Sequence, residues 1–518
     1  MAAEAQANGH DPNALDRETM VVAGVVLLGA VMSILDTTVI NVAVDRLAID
    51  FNASLTTIQW VVTGYTLALA AVIPATGWAA DRFGTKRIYI WSLVLFMLGS
   101  ILCAAAWSAG SLIAFRVLQG VGGGMIMPAV MTIMTRKAGP HRMGRVMGIL
   151  GVPMLVAPIL GPILGGWLVD DVSWRWIFLI NVPIGIVAII LALIVLERDQ
   201  PQPGHKLDWL GMALLSPGLT LLIFGLAESN SAAGFAATKA WLPIVSGAAL
   251  IAGFFWHSWR KGDGALIDIR TFTHTRAGAA AGVFMLFSIA FFGSLLLVPL
   301  YYQTVRGASA LEAGLLLAPQ GIGAMITMPL AGRLTDRYGP KYWAACGIPL
   351  LVVGLAPFAF VTAHTSYLLL CSFSFVLGLG MGLSMMPTMT AAMQAVPAAA
   401  IARTSTAMNI IRQSGASIGT AILSVLLASA ISDKLLAGNH PEGAQGFEAL
   451  HALSPAAQAR VAEPLAEAFA QTFVWGLALL ALAFIPALAL ALGKWQQPAP
   501  AGQVSEQPAG EAHAVALD

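Results

Sequence analysis

The feature that most constrains this chain is a short charged string that occurs twice, GWAADRFGTKR at 77–87 and GRLTDRYGPK at 332–341. Each copy is a hinge between two long apolar runs. Its shared residues stand at one offset of 255 positions: Gly77 and Gly332, Asp81 and Asp336, Arg82 and Arg337, Gly84 and Gly339, and Lys86 and Lys341, with Arg87 ending the first copy. Two similar halves with matching hinges are typical of secondary transporters, whose repeats rock against each other.

Apolar runs dominate the rest of the chain, in which 58% of residues are hydrophobic and 10% are charged. A run of about 20 apolar residues crosses the hydrocarbon core of a bilayer. Such runs recur along the chain, and three contain one ion each: Asp36 in 19–44, Arg116 in 110–133 and Arg412 in 404–430. A polar break at 362–366 divides the uncharged stretch 342–402 in two. The pattern predicts an all-α membrane protein with fourteen spans.

The offset between the hinges predicts the domain organisation, because 255 residues exceed the usual length of six spans and their loops. Two additional spans are therefore expected between two six-helix bundles. We expect a cytoplasmic tail over 1–18, the first bundle over 19–196, the added spans and linkers over 197–276, the second bundle over 277–493, and a disordered cytoplasmic tail over 494–518. Within the second bundle, loop 431–470 is expected to form a surface helix outside the membrane, where a periplasmic adaptor protein could dock.

Lysine and arginine are unevenly divided among the predicted loops. With both termini on one side, the even-numbered loops hold 17 of these residues and the odd-numbered loops hold 6. The positive-inside rule then places the even loops and both tails in the cytoplasm. The polar first 18 residues precede no short apolar core with a small-residue cleavage site, so we expect no signal peptide. The expected location is the plasma membrane, and for a bacterium the inner membrane.

The two hinge carboxylates, Asp81 and Asp336, can accept hydrogen bonds from a helix N-terminus or pair with a neighbouring arginine. The hinge glycines let helix ends approach closely. Such contacts can hold the cytoplasmic ends shut in one state and break in the other. A simple basic anchor with a turn would account for Arg82, Lys86 and Arg87, but not for the repeated arrangement of glycine and aspartate.

Asp36 lies in the middle of the first span, in SILDTTVINVAV. A lone charge at the bilayer centre costs about 3 kcal/mol on insertion scales, so an intramembrane carboxylate is a proton-carrier hypothesis by default. Arg116 is the only other ion within the spans of the first half and is the expected partner, with Gln119 one turn away on the same face. The alternative interpretation is a static buried ion pair.

The fifth span reads GVPMLVAPILGPILGGW over 151–167. Prolines remove backbone donors and bend the helix, and glycines allow a neighbouring helix to pack closely. The residues concerned are Gly151, Pro153, Pro158, Gly161, Pro162, Gly165 and Gly166.

Seven side chains are candidates for a substrate cavity: Asn41, Tyr65, Gln119, Tyr301, Gln303, Asn409 and Arg412. Arg412 either faces a cavity or binds backbone carbonyls. Tyr301 and Gln303, at the outer end of the ninth span, either belong to an interfacial aromatic belt or line an exit vestibule.

Other classes of function lack the residues that they need. The nine histidines fall in tails, loops or span edges, and no Gly-x-Ser-x-Gly string or phosphate-binding loop is present, so neither an enzyme nor an ATP-driven pump is indicated. A net charge of +1 gives no electrostatic case for nucleic acid. The three cysteines lie within spans, where a disulfide framework is not expected. We expect no metal and no cofactor.

By its motifs, the chain resembles the fourteen-span drug:proton antiporters of the major facilitator superfamily, the EmrB/QacA type, over roughly 19–493. LDTTVINVAV (35–44) is similar to that family's first-span signature, GWAADRFGTKR to the superfamily's loop motif and RVLQGVGGG (116–124) to its fourth-span motif. The run 151–166 is similar to the antiporter motif of the fifth span, and WRWIFLINVPIG (174–185) to the start of the sixth.

The resemblance implies the superfamily fold of two six-helix bundles plus two added helices, and proton-driven efflux. It implies that Asp36 and Arg116 act in coupling and that the fifth-span string seals the path against leak. Two departures stand out. The first-span string commonly continues with proline where this chain has Asp45, and the membrane acid that relatives exporting dications carry in the tenth span is absent, with Glu312 only at its edge.

Three hypotheses of function follow. The leading one is an exporter that exchanges inward protons for a lipophilic or amphipathic compound, expected to be cationic, from an apolar cavity in which Asp36 serves proton and substrate in competition. The second keeps the same fold but exports one metabolite, lipid or antibiotic. The third is a membrane sensor or scaffold with an inactive transporter fold, against which the intact Asp36, Arg116 and hinges argue.

Overall fold

The computed structural model describes residues 16–198, 206–229, 237–273, 276–437 and 455–493, together with Pro201 and Phe235. Across these ranges the regular elements are helices. In chain order they are α1 Arg17–Asp50, α2 Leu55–Phe83, α3 Thr85–Ala104, α4 Ala109–Trp167, α5 Trp176–Leu179, α6 Asn181–Val195, α7 Trp209–Glu228, α8 Thr238–Lys261, α9 Arg276–Thr304, α10 Ala310–Tyr338, α11 Trp343–Leu355, α12 Tyr367–Gln394, α13 Ile401–Ala437 and α14 Pro455–Leu492.

Thirteen helical segments in the described part are long and apolar enough to cross a membrane. One of them, Ala109–Gly139, is the first arm of α4, which bends at Gly139 (φ 67°) and continues as a second arm over 140–167. That second arm is the predicted fifth span. The sequence predicted one of the even-numbered loops over 134–145. In the structure the two spans extend into this range, and the turn at Gly139 is what separates them. The predicted break at 362–366 does separate α11 from α12.

The two hinges have the same backbone conformation. Gly84 ends α2 with φ 97° and ψ 144°, and Gly339 ends α10 with φ 83° and ψ 160°. Positive φ costs a side-chain-bearing residue about 1 kcal/mol or more, so glycine is favoured at both turns. A Cβ on Gly339 would have open space around it. The backbone angle, rather than close approach, therefore explains this glycine.

The predicted additional spans, α7 and α8, pack against each other as a hairpin. The hairpin lies across the seam between the halves, since α7 contacts α2 from the first half and α13 from the second. An apolar cluster joins the parts, formed by Leu215, Leu219, Phe254 and Leu266 with Ala407 of α13. The hairpin is thus attached to both halves at the hinge end, by which we mean the end of the bundle that carries both hinges.

The predicted surface helix in 431–470 takes a different form in the structure. Residues 431–437 continue α13, and 455–470 are the first turns of α14, so the described parts of this loop prolong two membrane helices. Lys434 Nζ lies 2.7 Å from Glu467 Oε2 and joins the two prolonged helices. Residues 438–454, as well as the predicted tails 1–15 and 494–518, lie outside the described part of the chain.

Candidate functional site

At the hinge end, the carboxylate of Asp336 joins the two halves. Its side chain is buried and accepts hydrogen bonds from the backbone N–H groups of Gly144 (2.8 Å) and Arg145 (3.1 Å), in the first turns of the second arm of α4. Arg145 Nε lies 3.7 Å from the same carboxylate. A negative charge at a helix N-terminus is stabilised by the exposed N–H groups and the helix dipole.

Asp81, the matching carboxylate of the first hinge, makes a different set of contacts. It forms an ion pair with Arg136 of its own half (3.1 Å), and a longer one with Arg403 Nε of α13 (3.6 Å). Arg136 also donates to Thr85 Oγ1 at 3.0 Å. Of the two interactions that the sequence allowed for these aspartates, Asp336 mainly accepts from a helix N-terminus and Asp81 pairs with arginines.

Two other hinge glycines permit close contact between the halves. A Cβ on Gly77 would lie 2.9 Å from Thr406 Oγ1 and 3.1 Å from Arg403 Cα, both on α13. A Cβ on Gly332 would collide with the carbonyl oxygen of Gly144. Together with the two aspartates, these contacts close the bundle at the hinge end.

The basic residues of the hinges lie around this closure. Lys86 Nζ donates to the carbonyl oxygens of Leu193 (2.8 Å) and Leu196 (2.6 Å) at the end of α6. In the second hinge, Arg337 and Lys341 stack on neighbouring tyrosine rings. Arg82 is half-buried and Arg87 is exposed. Lys86 thus ties the first hinge to the sixth predicted span.

Deep in the first half, Asp36 and Arg116 form the ion pair that the sequence predicted. Arg116 Nη1 lies 2.6 Å from Asp36 Oδ2, and both side chains are buried. The other carboxylate oxygen, Oδ1, accepts from the side-chain amides of Gln119 (2.8 Å) and Asn181 (2.9 Å). Ser100 accepts from both amides, at 2.7 and 3.2 Å. Three donors therefore satisfy the carboxylate within the fold.

Arg116 is held by more than its charge partner. Its Nη1 also donates to Gln119 Oε1 (2.7 Å) and its Nε to the carbonyl of Val61 (3.2 Å), while its Nη2 has no hydrogen-bond partner. The guanidinium stacks on the ring of Tyr65, 4.1 Å from its centroid. Tyr65 and Gln119 thus belong to the ion-pair network.

The fifth-span glycines pack the second arm of α4 against α1 and α10. A Cβ on Gly161 would collide with Thr38, two residues from Asp36, and one on Gly165 would lie 3.1 Å from Val39. A Cβ on Gly151 would collide with the sulfur of Met328 on α10, whereas one on Gly166 would have nothing within 4 Å. The side chains of Pro153, Pro158 and Pro162 lie outside the described part.

A small cavity lies between the halves, next to the closed hinge end. It has a volume of about 20 Å³, and six of its nine lining residues are methionines, Met127, Met131, Met385, Met386, Met389 and Met408, together with Phe284, Asn409 and Arg412. Four helices contribute: α4, α9, α12 and α13. The volume holds about one water molecule, so a larger ligand requires the methionines to move.

Most of the predicted cavity candidates lie elsewhere. Only Asn409 and Arg412 line this cavity. Tyr65 and Gln119 are buried in the ion-pair network, and Asn41 is exposed on α1. The remaining two sit near the far end of α9, where Tyr301 is fully buried and donates to the carbonyl of Thr362 (2.7 Å), and Gln303 donates to that of Pro299 (3.2 Å). None of these five side chains lines this cavity, so their part in a substrate path stays a prediction.

Asp36 does not line this cavity either, and the expected competition of proton and substrate for its carboxylate stays a prediction. Its oxygens are occupied inside the first half. In the part of the chain that the structure describes, no three histidine, cysteine, aspartate or glutamate side chains are grouped as a metal site.

A larger cavity of about 560 Å³ lies at the hinge end, where the α7–α8 hairpin meets the first hinge. Asp208 organises its wall, accepting from Lys261 (2.6 Å), His257 (2.9 Å) and the backbone of Gly211 and Leu266 (3.1 Å each). Burial raises the pKa of Asp208, but these donors outweigh burial and hold its pKa below the ordinary value. Arg403 adds a bond to the carbonyl of Asp263 (3.0 Å).

Among known protein families, the family model described as Major Facilitator Superfamily matches residues 26–420. The chain belongs to the major facilitator superfamily. A "Multidrug resistance protein B homolog" of Mycobacterium tuberculosis (strain ATCC 25618 / H37Rv) is 43% identical over 491 residues, covering 92% of this chain and 91% of that protein. "Multidrug export protein EmrB" of Haemophilus influenzae is 31% identical, covering 76% and 78%.

Solved structures agree on the fold. A crystal structure of a double-tryptophan mutant of XylE superposes with a TM-score of 0.60 at 14% identity, covering 91% of this chain and 96% of that one. At this identity the likeness concerns the fold alone. The all-helical superfamily fold that the sequence predicted is confirmed.

Proposed function

We propose that this chain is a multidrug efflux transporter, which exports small lipophilic or amphipathic compounds across the bacterial inner membrane in exchange for protons. The names of its relatives support export of drugs. The observation that carries the proton exchange is the buried pair of Asp36 and Arg116, an acid with three internal donors in the middle of a membrane span. Intramembrane acids paired in this way are characteristic of proton relays.

The proton step follows from the hydrogen bonds of this pair. As a carboxylate, Asp36 balances the charge of Arg116 and accepts from Gln119 and Asn181. Protonation removes the negative charge and turns one oxygen into a donor, which leaves Arg116 as a buried charge without a counterion. The guanidinium and its two amide neighbours must then find new partners. We infer that this rearrangement favours a different packing of α1 on the second arm of α4, which meet at Thr38 and Gly161.

The hinge contacts supply the gate in this proposal. The loops at the hinge end carry most of the lysines and arginines, so we assign this end and both termini to the cytoplasm. A bundle closed there would release substrate and admit protons from the opposite side. Opening to the cytoplasm requires Asp336 to leave the second arm of α4 and Arg403 to leave Asp81. Docking of an adaptor protein on 431–470 stays a prediction.

Everted membrane vesicles with an imposed proton gradient test the exchange. The gradient is followed by acridine fluorescence while a panel of lipophilic compounds is added to wild type, to Asp36→Asn and to Asp268→Asn, an acid of a hinge-end loop. We expect compounds of the panel to collapse the gradient in wild type and Asp268→Asn but not in Asp36→Asn. An Asp36→Asn protein as active as wild type would refute the role of this acid, and a wild type silent to the whole panel would refute multidrug export.

A further inference from the structure

The methionine-lined cavity contains a single charged side chain, Arg412. Within the described part of the chain, no carboxylate lines this cavity and no hydrogen bond or ion pair engages the guanidinium of Arg412. Arg412 is half-buried in α13, facing sulfur and carbon atoms of its neighbours. Of the two roles that the sequence left open for Arg412, these observations favour the cavity-facing one over binding to backbone carbonyls.

The contrast with Arg116 shows why this matters. Arg116 is also intramembrane, but it binds an acid, an amide and a backbone carbonyl. A guanidinium in a membrane span is costly unless an anion, a polar group or water compensates it. For Arg412, the group that compensates the guanidinium charge has to come from a molecule that enters the cavity. Among the residues that the structure describes around this cavity, no carboxylate competes for the position.

The chemistry of the cavity then defines its ligand. A guanidinium presents a planar fork of N–H donors that matches the paired oxygens of a carboxylate or sulfonate. Around it, methionine side chains with three rotatable bonds can adapt to apolar bodies of different shapes. Asn409 lies one turn from Arg412 on the same wall and already donates to the carbonyl of Ser405 (3.1 Å). Its amide oxygen can accept a further bond from the ligand.

We propose that Arg412 recognises an acidic group on the exported compound, so that the preferred substrates are amphipathic organic anions rather than cations. This deepens the proposed function, on which it rests, by naming the substrate class of the same transporter. It also replaces the expectation of cationic substrates, which depended on Asp36 facing the cavity. Asp36 and Arg412 then have separate roles. Asp36 carries the proton, and Arg412 binds the substrate.

A matched pair of probes tests this proposal. 1-Anilinonaphthalene-8-sulfonate and N-phenyl-1-naphthylamine share one aromatic skeleton and differ by the sulfonate, and tetraphenylphosphonium adds a lipophilic cation. Binding is measured by displacement with purified full-length protein in nanodiscs, for wild type, Arg412→Gln, Arg412→Lys and Arg175→Gln. Arg175 is an exposed arginine outside the cavity and serves as the matched control.

In wild type and Arg175→Gln we expect the sulfonate to bind more tightly than the neutral probe and the cation. Loss of one charge-assisted contact in Arg412→Gln should weaken the sulfonate about 10- to 100-fold and change the neutral probe less than about threefold. Arg412→Lys should retain part of the preference. The unfolding temperature of Arg412→Gln should fall little, since no hydrogen bond or ion pair of the described residues is lost, whereas an arginine that ties the fold together would lower it clearly.

Three results would overturn the proposal: a neutral probe or cation that binds wild type as tightly as the sulfonate, no detectable binding of the sulfonate, or unchanged sulfonate binding in Arg412→Gln. The vesicle assay separates this failure from failure of the proposed function. If only the substrate class is wrong, wild type still exchanges the neutral probe or the cation for protons. If the proposed function is wrong, no probe moves at the expense of the proton gradient.

Discussion

The gate at the hinge end should depend unequally on its two aspartates, and Asp336→Asn gives the sharpest prediction. The Asp336 carboxylate accepts two backbone N–H groups of the opposite half at 2.8 and 3.1 Å, with Arg145 at 3.7 Å. Hydrogen bonds to a charged group contribute about 1.5–3 kcal/mol each, and asparagine keeps one weaker acceptor. We expect the closed hinge end to lose about 2–3 kcal/mol, which is roughly a 30- to 150-fold shift towards the open state.

Asp81→Asn should have a smaller effect on the same equilibrium. Its ion pair with Arg403, which joins the halves, is long at 3.6 Å, and its shorter pair is with Arg136 of its own half. A partly exposed pair of this length contributes about 1 kcal/mol or less, about fivefold. The two hinges share sequence and backbone, so a sequence argument alone would expect equal effects.

The assay is the distance between two spin labels measured by pulsed electron paramagnetic resonance. The labels are placed at Phe83→Cys on α2 and Tyr338→Cys on α10, both exposed at the hinge end, in a protein without its native cysteines. Asp268→Asn, whose carboxylate caps its own loop at Arg270, is the matched control. We expect a long-distance population that grows in the order Asp268→Asn, Asp81→Asn, Asp336→Asn. Equal shifts for both hinge aspartates, or none for Asp336→Asn, would refute the reasoning.

Three further predictions concern packing and pH. Gly161→Ala should push α1 away beside Asp36 and reduce proton-coupled export in vesicles, whereas Gly166→Ala, with open space around it, should export like wild type. The depressed pKa of Asp208 means that its carboxylate stabilises the fold above its ordinary pKa of about 3.9 and that this contribution disappears as pH falls through the lower folded value. The unfolding temperature of Asp208→Asn should therefore lie below that of wild type at pH 7, and the difference should shrink below about pH 4; a difference independent of pH would contradict this. Tyr301→Phe should cost about 1 kcal/mol of stability through its lost bond to Thr362 and leave probe selectivity unchanged, which thermal unfolding and the binding assay would check.

The sequence predicted the features that depend on charge in an apolar chain. Asp36 and Arg116 are the only ions within the spans that the sequence predicts for the first half, so their pairing follows from the cost of leaving either alone. The hinges follow from their repetition, and the membrane-length helices, thirteen of them in the described part of the chain, follow from the lengths of the apolar runs. These signals are strong because charged residues are rare in this apolar chain and stand out from it.

The positions of uncharged polar side chains could not be predicted in the same way. Tyr65, Gln119 and Tyr301 looked like cavity residues because each is polar within a span, but an apolar helix packed on several sides gives no periodic sign of which face meets which neighbour. Asn181 and Ser100 complete the Asp36 network, yet neither has a spacing that points to it. The cavity methionines of α12 lie in an uncharged stretch of sequence. In such a stretch, a methionine that lines a cavity cannot be distinguished from one that faces lipid or the core.

The different contacts of the two hinge aspartates also lay beyond the sequence. Asp336 meets the second arm of α4 at the turn that follows the bend at Gly139, and the sequence predicted a loop there. Without that helical turn no backbone N–H groups would point at the carboxylate. The asymmetry of the gate is therefore a consequence of tertiary structure.

The most direct test of the central claim, that Asp36 carries the proton exchanged for substrate, is proton release on ligand binding. N-phenyl-1-naphthylamine, a neutral probe, is added to purified protein in weakly buffered detergent solution containing a pH indicator, at a pH where the binding affinity itself is pH-dependent. Wild type should release protons as the probe binds, and Asp36→Asn should bind the probe without releasing any. Equal proton release from both proteins would contradict the account, because the proton would then come from another group.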